Sequence, residues 1–305
     1  MSLLATILPV FALIVIGGAA RRFHMLEAAS LGGLTDFVFF LAMPALLLGA
    51  IADGPPFDIV GVAGVYFSAC LAVFAAGMAA ARLLRLPLAR AAMLGLNAAY
   101  GNVVMMGIPV VAAAFGRDAL PPLLAVVALH SVILLPLAGV LVEMGTTGQR
   151  RPAAILRTTL RGVVRNPVIM SILAAFVWRG LGVPMPAPLR ELLHMLGAAA
   201  PPLALVCLGA SLPAPSARAF GAEMAVGVVL KLVILPALVW VVGRWAGLPA
   251  LPLAVATFTG GLPTGANAFL LARRAQGLLE ISAGTVLVAT SLSLASLSVL
   301  LSLLR

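Results

Sequence analysis

Apolar runs recur along the whole chain and are separated by short connections that carry arginine. Because about 20 apolar residues cross the hydrocarbon core of a bilayer as a helix, each such run predicts a membrane span. The pattern predicts ten helices, over residues 3–20, 31–51, 59–81, 88–115, 119–142, 166–182, 189–211, 221–243, 249–272 and 280–304. Since no segment remains for a soluble domain, the sequence predicts an all-α polytopic membrane protein with a single domain over residues 1–305.

Composition supports a membrane protein and narrows its partners. The 305 residues are 63% hydrophobic and 9% charged, with a mean hydropathy of +1.19, which excludes an ordinary soluble domain. A net charge of +10 would suggest nucleic acid in a soluble protein, but here the basic residues lie between spans, where they set orientation. Cys70 and Cys207 lie in apolar runs without metal-site spacing. We therefore predict the bilayer as a partner, and no nucleic acid, metal or cofactor.

The arginines are distributed unevenly between the two sides of the predicted spans. If the helices alternate in direction, one side carries Arg21, Arg22, Arg82, Arg85, Arg90, Arg150, Arg151, Arg157, Arg161, Arg165, Arg218, Arg273 and Arg274. The other side carries Arg117, Arg179, Arg190, Arg244 and Arg305. Because arginine is enriched on the cytoplasmic side, the richer side is predicted to be cytoplasmic. Loop 143–165 is then cytoplasmic, and both termini are periplasmic or extracellular.

A motif recurs once in each half of the chain. Gly107-Ile108-Pro109 followed by Phe115 matches Gly261-Leu262-Pro263 followed by Phe269, at a separation of 154 residues. Loop 143–165 divides the chain into repeat one, residues 1–142, and repeat two, residues 166–305. With five spans in each half, the second half is inverted relative to the first. Two inverted repeats with Gly/Pro-interrupted helices, here predicted spans 4 and 9, are typical of secondary transporters.

The interrupted helices predict a binding site. Proline lacks a backbone N–H and clashes with the carbonyl four residues earlier, so Pro109 and Pro263 free backbone groups in the membrane. Half-helix N-termini at such breaks present N–H donors to an anion. The predicted substrate-binding residues are Asn102, Gly107, Ile108, Pro109, Gly261, Pro263, Thr264 and Asn267. The alternative is that both prolines only kink packed helices and that the asparagines join helices by structural hydrogen bonds.

Several segments resemble one transporter family. "NVVMMGIPVV", from Asn102, resembles the fourth-helix crossover of the auxin efflux carrier family, which includes the plant PIN exporters and bacterial carriers of malonate and related acids. "GLPTGANAFLLARRAQGLLEISAGTVLVATSLS", "RNPVIMSILAAF" and "KLVILPAL" are similar to its ninth-to-tenth helix region and to its sixth and eighth helices. The likeness covers nearly the whole chain.

The resemblance implies a fold related to bile acid and sodium symporters. Scaffold helices 1, 2, 6 and 7 would support transport helices 3–5 and 8–10, which would move by an elevator mechanism, often in a homodimer of the bacterial inner membrane. Asn102 would be the carboxylate-binding amide, and Pro109 and Pro263 would mark the crossing points. The central loop of about twenty residues is far shorter than that of the plant exporters, so regulation by loop phosphorylation is not expected.

Four further residues are candidates for ion coupling. Lys231 is the only lysine and lies inside a predicted span, where an ionisable group indicates function, although a partner acid such as Asp36 would make it structural. Because histidine as a residue type titrates near neutral pH, His130 is a candidate proton relay, or else a hydrogen-bonded structural residue. Thr290 and Ser291 are candidate cavity hydroxyls. Proton coupling, sodium coupling and uncoupled transport all stay open.

The function predicted from these features is secondary transport of a small organic anion, either an auxin-like monocarboxylate or a malonate-like dicarboxylate. The alternatives are an anion channel, because broken helices also line pores, and an ion-coupled symporter of the sterol or bile-acid type. An intramembrane hydrolase is disfavoured because the sequence has no G-x-S-x-G motif and almost no acids within its spans.

Overall fold

The computed structural model describes residues 3–52, 58–147, 165–212, 221–265, 268, 271–272 and 278–304. These residues form eleven helices and no strand: α1 (Leu3–Arg22), α2 (Ala28–Ala52), α3 (Ile59–Leu83), α4 (Leu88–Ala99), α5 (Val103–Phe115), α6 (Leu120–Thr147), α7 (Pro167–Gly180), α8 (Ala187–Ser211), α9 (Ala222–Trp245), α10 (Ala250–Gly260) and α11 (Leu279–Leu304). The all-α class predicted from the hydrophobic pattern is confirmed.

Six of the described helical segments are long and apolar enough to cross a membrane: Ala28–Ala52, Ile59–Leu83, Arg117–Thr146, Ala187–Ser211, Ala222–Trp245 and Ser282–Leu304. The helices α5, α7 and α10 are apolar but shorter. The chain is therefore a multi-pass membrane protein, whereas the count of ten spans and the inverted repeat stay predictions. Predicted span 4 is divided into α4 and α5, because residues 100–102 leave the helix.

Contacts within the chain divide it into two compact units. The first unit comprises Met1–Asp58, Val104–Leu124 and Arg161–Leu212. Its helices α1 and α8 approach at two glycines: a Cβ on Gly17 would overlap the backbone of Val206, and a Cβ on Gly209 would overlap the backbone of Ile14. Small residues allow this close packing, which replaces the hydrophobic effect as a source of helix association in lipid.

The second unit comprises Ile59–Val103, Ala125–Leu160 and Pro213–Arg305. Helices α3 and α4 meet at a glycine pair, where a Cβ on Gly77 would come within 2.9 Å of the Gly95 Cα. The first turns of α4 and α9 are joined by an ion pair between Arg90 Nη2 and Glu223 Oε2 at 2.7 Å. This unit contains both of the non-helical stretches described below.

Three of the prolines inside the helices are preceded by wide π turns. The π turns at Val38–Ala42, Val103–Gly107 and Leu230–Ile234 each end two residues before a proline, at Pro44, Pro109 and Pro236. A π turn bonds to the residue five positions away, so it accommodates both the missing N–H and the bulk of the ring. These prolines therefore lie in continuous helix.

Candidate functional site at the crossing of two chain segments

The first interruption lies at residues 100–102, between α4 and α5. Tyr100 leaves the helix in an extended conformation, with φ −86° and ψ 109°, and helix resumes at Val103. The prediction that this break falls at Gly107-Ile108-Pro109 is wrong, because the π turn at Val103–Gly107 carries the helix through Pro109. Asn102 therefore lies within the interruption and not two turns before it.

The second interruption follows α10, which ends at Gly260. Residues 261–265 are not helical, and Pro263 lies in the middle of them, so the predicted location of this break is confirmed. Gly261, Pro263 and Thr264, which the sequence indicated as candidates, all lie in this segment. Asn267 lies outside the described residues.

The two interrupted segments cross backbone to backbone. The N–H of Asn102 donates to the Pro263 carbonyl at 2.8 Å, and the N–H of Gly265 donates to the Tyr100 carbonyl at 3.0 Å. Gly101 and Thr264 form an antiparallel bridge between these bonds. Backbone groups freed by the breaks thus satisfy one another, as a solvent-poor environment requires.

Glycine is required at this crossing by the distance between the segments. A Cβ on Gly265 would lie 2.8 Å from the Gly101 carbonyl oxygen and 2.8 Å from the ring of Tyr100. Atoms of this kind do not approach so closely without moving the backbone. The sequence motif Gly-Leu-Pro-Thr-Gly therefore supplies a proline that ends the helix and a glycine that lets the other segment pass.

Lys231 connects α9 to the crossing. Its side chain is 0% exposed, and Nζ donates to the carbonyl of Gly260, the last residue of α10, at 2.7 Å. An ammonium at this position stabilises the partial negative charge of the helix C-terminus. The same Nζ lies 3.4 Å from the position that a Cβ on Gly101 would occupy. Asp36, the acid considered as its partner, is exposed, so it is not the buried counter-charge expected for a purely structural pair.

His130 holds the first segment from the other direction. The N–H of Gly101 donates to His130 Nε2 at 2.9 Å, and the imidazole packs on the Tyr100 ring with centroids 4.5 Å apart. Tyr100 in turn shares a 2.8 Å hydrogen bond with Ser131. Because Nε2 accepts a bond, the proton of the neutral ring lies on Nδ1. The structural role proposed for His130 thus has a defined partner, and proton coupling stays a prediction.

Asn97 is a further site residue that the sequence reasoning missed. Its backbone carbonyl accepts a hydrogen bond from Thr264 Oγ1 at 2.8 Å, and its side-chain Oδ1 accepts one from Ser282 at 3.0 Å. The available signal was its amide in an otherwise apolar run, the same feature that singled out Asn102. Asn97 ties the last turn of α4 to both the second segment and α11.

Two buried asparagine side chains at the crossing have N–H donors that form no hydrogen bond with any described residue. Asn97 is 1% exposed and Asn102 is 7% exposed, and the Nδ2 atom of each has no hydrogen-bond partner among the described residues. An unpaired buried amide is unfavourable by about 1–3 kcal/mol, so a water or ligand atom that accepts a hydrogen bond would be favoured at either Nδ2 atom. An acceptor such as a carboxylate oxygen satisfies this requirement.

The remaining candidates do not contact the crossing through any bond in the described part of the chain. The hydroxyl of Thr290 donates to the Val286 carbonyl at 2.7 Å, and that of Ser291 donates to the Leu287 carbonyl at 3.0 Å. Both bonds stay within α11. Gly107, Ile108 and Pro109 belong to the first unit by residue number. Their binding or coupling roles stay predictions.

Comparison with known proteins identifies the family. Residues 2–301 match the family model described as "Membrane transport protein". The chain is also 28% identical over 307 residues to a Rhizobium meliloti (strain 1021) protein named "Putative malonate transporter", with 98% of this chain and 95% of the relative covered. The chain therefore belongs to the membrane transport protein family, that of the auxin efflux carriers whose motifs it resembles, and it is a membrane transporter and not an enzyme.

Proposed function

We propose that this protein is a secondary transporter of a small organic anion and that it binds a carboxylate at the crossing of residues 100–102 and 261–265. The observation that carries the proposal is Asn102. Its backbone N–H donates a hydrogen bond to the Pro263 carbonyl, whereas its buried Nδ2 has no hydrogen-bond partner among the described residues. Hydrogen bonds from such an amide to a charged oxygen are worth about 1.5–3 kcal/mol each.

The surroundings of Asn102 favour a negatively charged partner. The helix α5 begins at the next residue, Val103, so the positive end of its dipole lies beside the amide. The ammonium of Lys231 lies against Gly101, the residue before Asn102. Donors and positive charge therefore converge on this segment, as an anion site requires.

The substrate class follows from this chemistry and from one relative. An amide, a helix start and an ammonium recognise a carboxylate without fixing what is attached to it. The Rhizobium meliloti relative carries malonate in its name, which makes a small dicarboxylic acid the first substrate to test. An auxin-like monocarboxylate is the second.

We further propose that transport proceeds by an elevator movement in which the second unit carries the substrate. The support for this is that Asn97, Asn102, Pro263, Thr264 and Lys231 all belong to that unit. A site built within one compact unit keeps its geometry while the unit moves. The homodimer and the orientation of the termini stay predictions from the sequence.

Binding is tested by thermal unfolding of the purified protein with a panel of organic acids. A ligand at 100 times its Kd stabilises the folded state by about 2.7 kcal/mol, so malonate or another acid of the panel should raise the melting temperature. Asn102→Ala should reduce this rise, because a roughly 10- to 150-fold larger Kd leaves only about 0.3–1.4 kcal/mol of stabilisation at the same acid concentration. Asn166→Ala is the matched control: it removes the amide that caps α7 through Val168 and Ile169, so it lowers the melting temperature and leaves the acid-induced rise intact. An equal rise in parent and Asn102→Ala would refute the assigned site.

A further inference from the structure

The described part of the second unit holds one buried positive charge that no described acid compensates. Lys231 is 0% exposed, and among the described residues it forms no ion pair. Only three acids occur in this unit, Glu143, Glu223 and Glu280, and each lies near the end of its helix. Glu223 is already paired with Arg90. Lys231 lies in the middle of α9, and the hydrogen-bond partner of its ammonium among the described residues is the Gly260 carbonyl.

Neighbouring titratable groups add no further charge. His130 accepts the Gly101 N–H through Nε2, which an imidazolium cannot do, so the ring is neutral. Cys70 donates its S–H to the Ala99 carbonyl at 3.7 Å, so it is a thiol. Tyr100 shares its hydroxyl with Ser131, and Tyr66 is buried against the rings of Phe67 and His130. Among the residues that the structure describes, the interior of the unit therefore carries a single uncompensated positive charge.

We infer that the substrate is carried as a monoanion whose single negative charge neutralises Lys231. This inference rests on the proposed function, in which the second unit crosses the membrane with its substrate. A charge within the hydrocarbon region is expensive, so a neutral loaded unit moves more readily than a charged one. A monoanion leaves the loaded unit neutral, whereas a dianion would leave one negative charge. A dicarboxylic acid would accordingly be carried with one carboxyl protonated.

The charge balance predicts which step of the cycle responds to the membrane potential. Exchange of substrate for substrate uses only the neutral loaded unit, so its rate is independent of potential. Net transport also requires return of the empty unit, which carries the Lys231 charge and therefore responds to potential. In a variant without the Lys231 charge, the loaded unit carries the charge of the substrate, so exchange depends on potential. The empty unit of that variant is neutral, so its return does not depend on potential.

The test is exchange at defined potentials in proteoliposomes. The reconstituted full chain is loaded with unlabelled acid, and entry of the same acid in labelled form is measured at zero potential and at a potassium diffusion potential set with valinomycin. The probes are malonate, indole-3-acetate and the monoamide of malonic acid, a monoanion of similar shape that has no second ionisable carboxyl. We expect the exchange rate of the parent to change less than about two-fold between zero potential and 100 mV. For Lys231→Met the exchange rate should change by more, up to about 50-fold, because moving one charge across 100 mV is worth about 2.3 kcal/mol.

Two further variants make the result specific. Lys231→Arg keeps the charge, so its exchange, at whatever absolute rate, should be as independent of potential as that of the parent. Arg244→Met removes a charge from the exposed end of the same helix and should also leave exchange independent of potential. If Lys231→Met does not fold, the parent and Lys231→Arg still test the inference, since both must be insensitive.

The outcomes separate this inference from the proposed function. Parent exchange that varies with potential, or exchange by Lys231→Met that is as insensitive as that of the parent, overturns the monoanion inference and leaves transport established. Transport of malonate with rejection of its monoamide also overturns it. Absence of exchange for all three acids overturns the proposed function together with the inference.

Discussion

The crossing of the two interrupted segments depends on Gly265, so Gly265→Ala is the most informative single substitution. The added Cβ would lie 2.8 Å from the Gly101 oxygen, and ordinary contact begins at 3.4 Å, so the segments must separate by about 0.6 Å. The bonds from Asn102 to Pro263 and from Gly265 to Tyr100, now 2.8 and 3.0 Å, would then reach the limit of hydrogen bonding near 3.5 Å.

The expected loss follows from those two bonds. Leaving a buried backbone group unpaired is unfavourable by about 1–3 kcal/mol, so loss of both bonds lowers the free energy of unfolding by about 2–6 kcal/mol. At about 2–4 °C per kcal/mol, even the lower bound corresponds to a fall of about 4–8 °C in melting temperature. The acid-induced stabilisation should also disappear, because the segment that holds Asn102 has moved.

The assay uses the cysteines of the chain itself. Cys70 and Cys207, the two cysteines of the sequence, are both buried, so a thiol-reactive fluorogenic dye reports unfolding without an introduced label. Gly64→Ala is the control, because Gly64 lies exposed in α3 with nothing within 4 Å of an added Cβ. That substitution should stabilise the helix by up to about 1 kcal/mol or leave it unchanged. If Gly265→Ala has the same melting temperature as Gly64→Ala, the crossing does not stabilise the second unit.

Three further predictions test separate parts of the account. Asn102→Ala should weaken acid binding by about 1.5–3 kcal/mol, or roughly 10- to 150-fold in Kd, while the melting temperature without ligand changes little; isothermal titration measures the affinity, and unchanged Kd contradicts the role. Arg90→Met should lower stability by about 1–3 kcal/mol because it leaves the Glu223 carboxylate buried without its partner, and adding Glu223→Gln should recover most of the loss in the same melting assay; two additive losses would show that the pair is not coupled. A cysteine at Thr147 should react with an impermeant maleimide only from the cytoplasm and one at Val183 only from outside, and the reverse pattern would overturn the orientation assigned from arginine.

The hydrophobic pattern predicted the class of fold because membrane helices must be apolar over a fixed length. The helices found at 59–83, 120–147 and 187–211 begin within two residues of the predicted spans. The break near Pro263 was also predictable, since the proline and the glycines that flank it are both unfavourable in a helix. The break assigned to Pro109 was wrong for an equally local reason: a π turn absorbs the proline, and the chain leaves the helix earlier, at Tyr100.

The hydrogen-bond partners of the site residues could not be predicted from sequence patterns. Lys231 and His130 were singled out by residue type, but nothing in their neighbourhood indicated that they contact Gly260 and Gly101, each 29 residues away. Asn97 was missed because its partners Thr264 and Ser282 are 167 and 185 residues away and lie in the non-helical segment 261–265 and on α11. Such contacts arise from the packing of helices, which depends on side-chain shape across the whole unit and not on the periodicity of any one segment.

Trans-stimulation of malonate uptake tests the central claim most directly. Proteoliposomes that contain the full chain are preloaded with unlabelled malonate or with buffer, and the initial rate of labelled malonate entry is compared. A carrier whose loaded form reorients more readily than its empty form predicts faster entry into the preloaded vesicles, and it predicts loss of that entry in Asn102→Ala. Equal rates with and without internal malonate would contradict the carrier and indicate a passive pore, and entry unaffected by Asn102→Ala would contradict binding at the crossing.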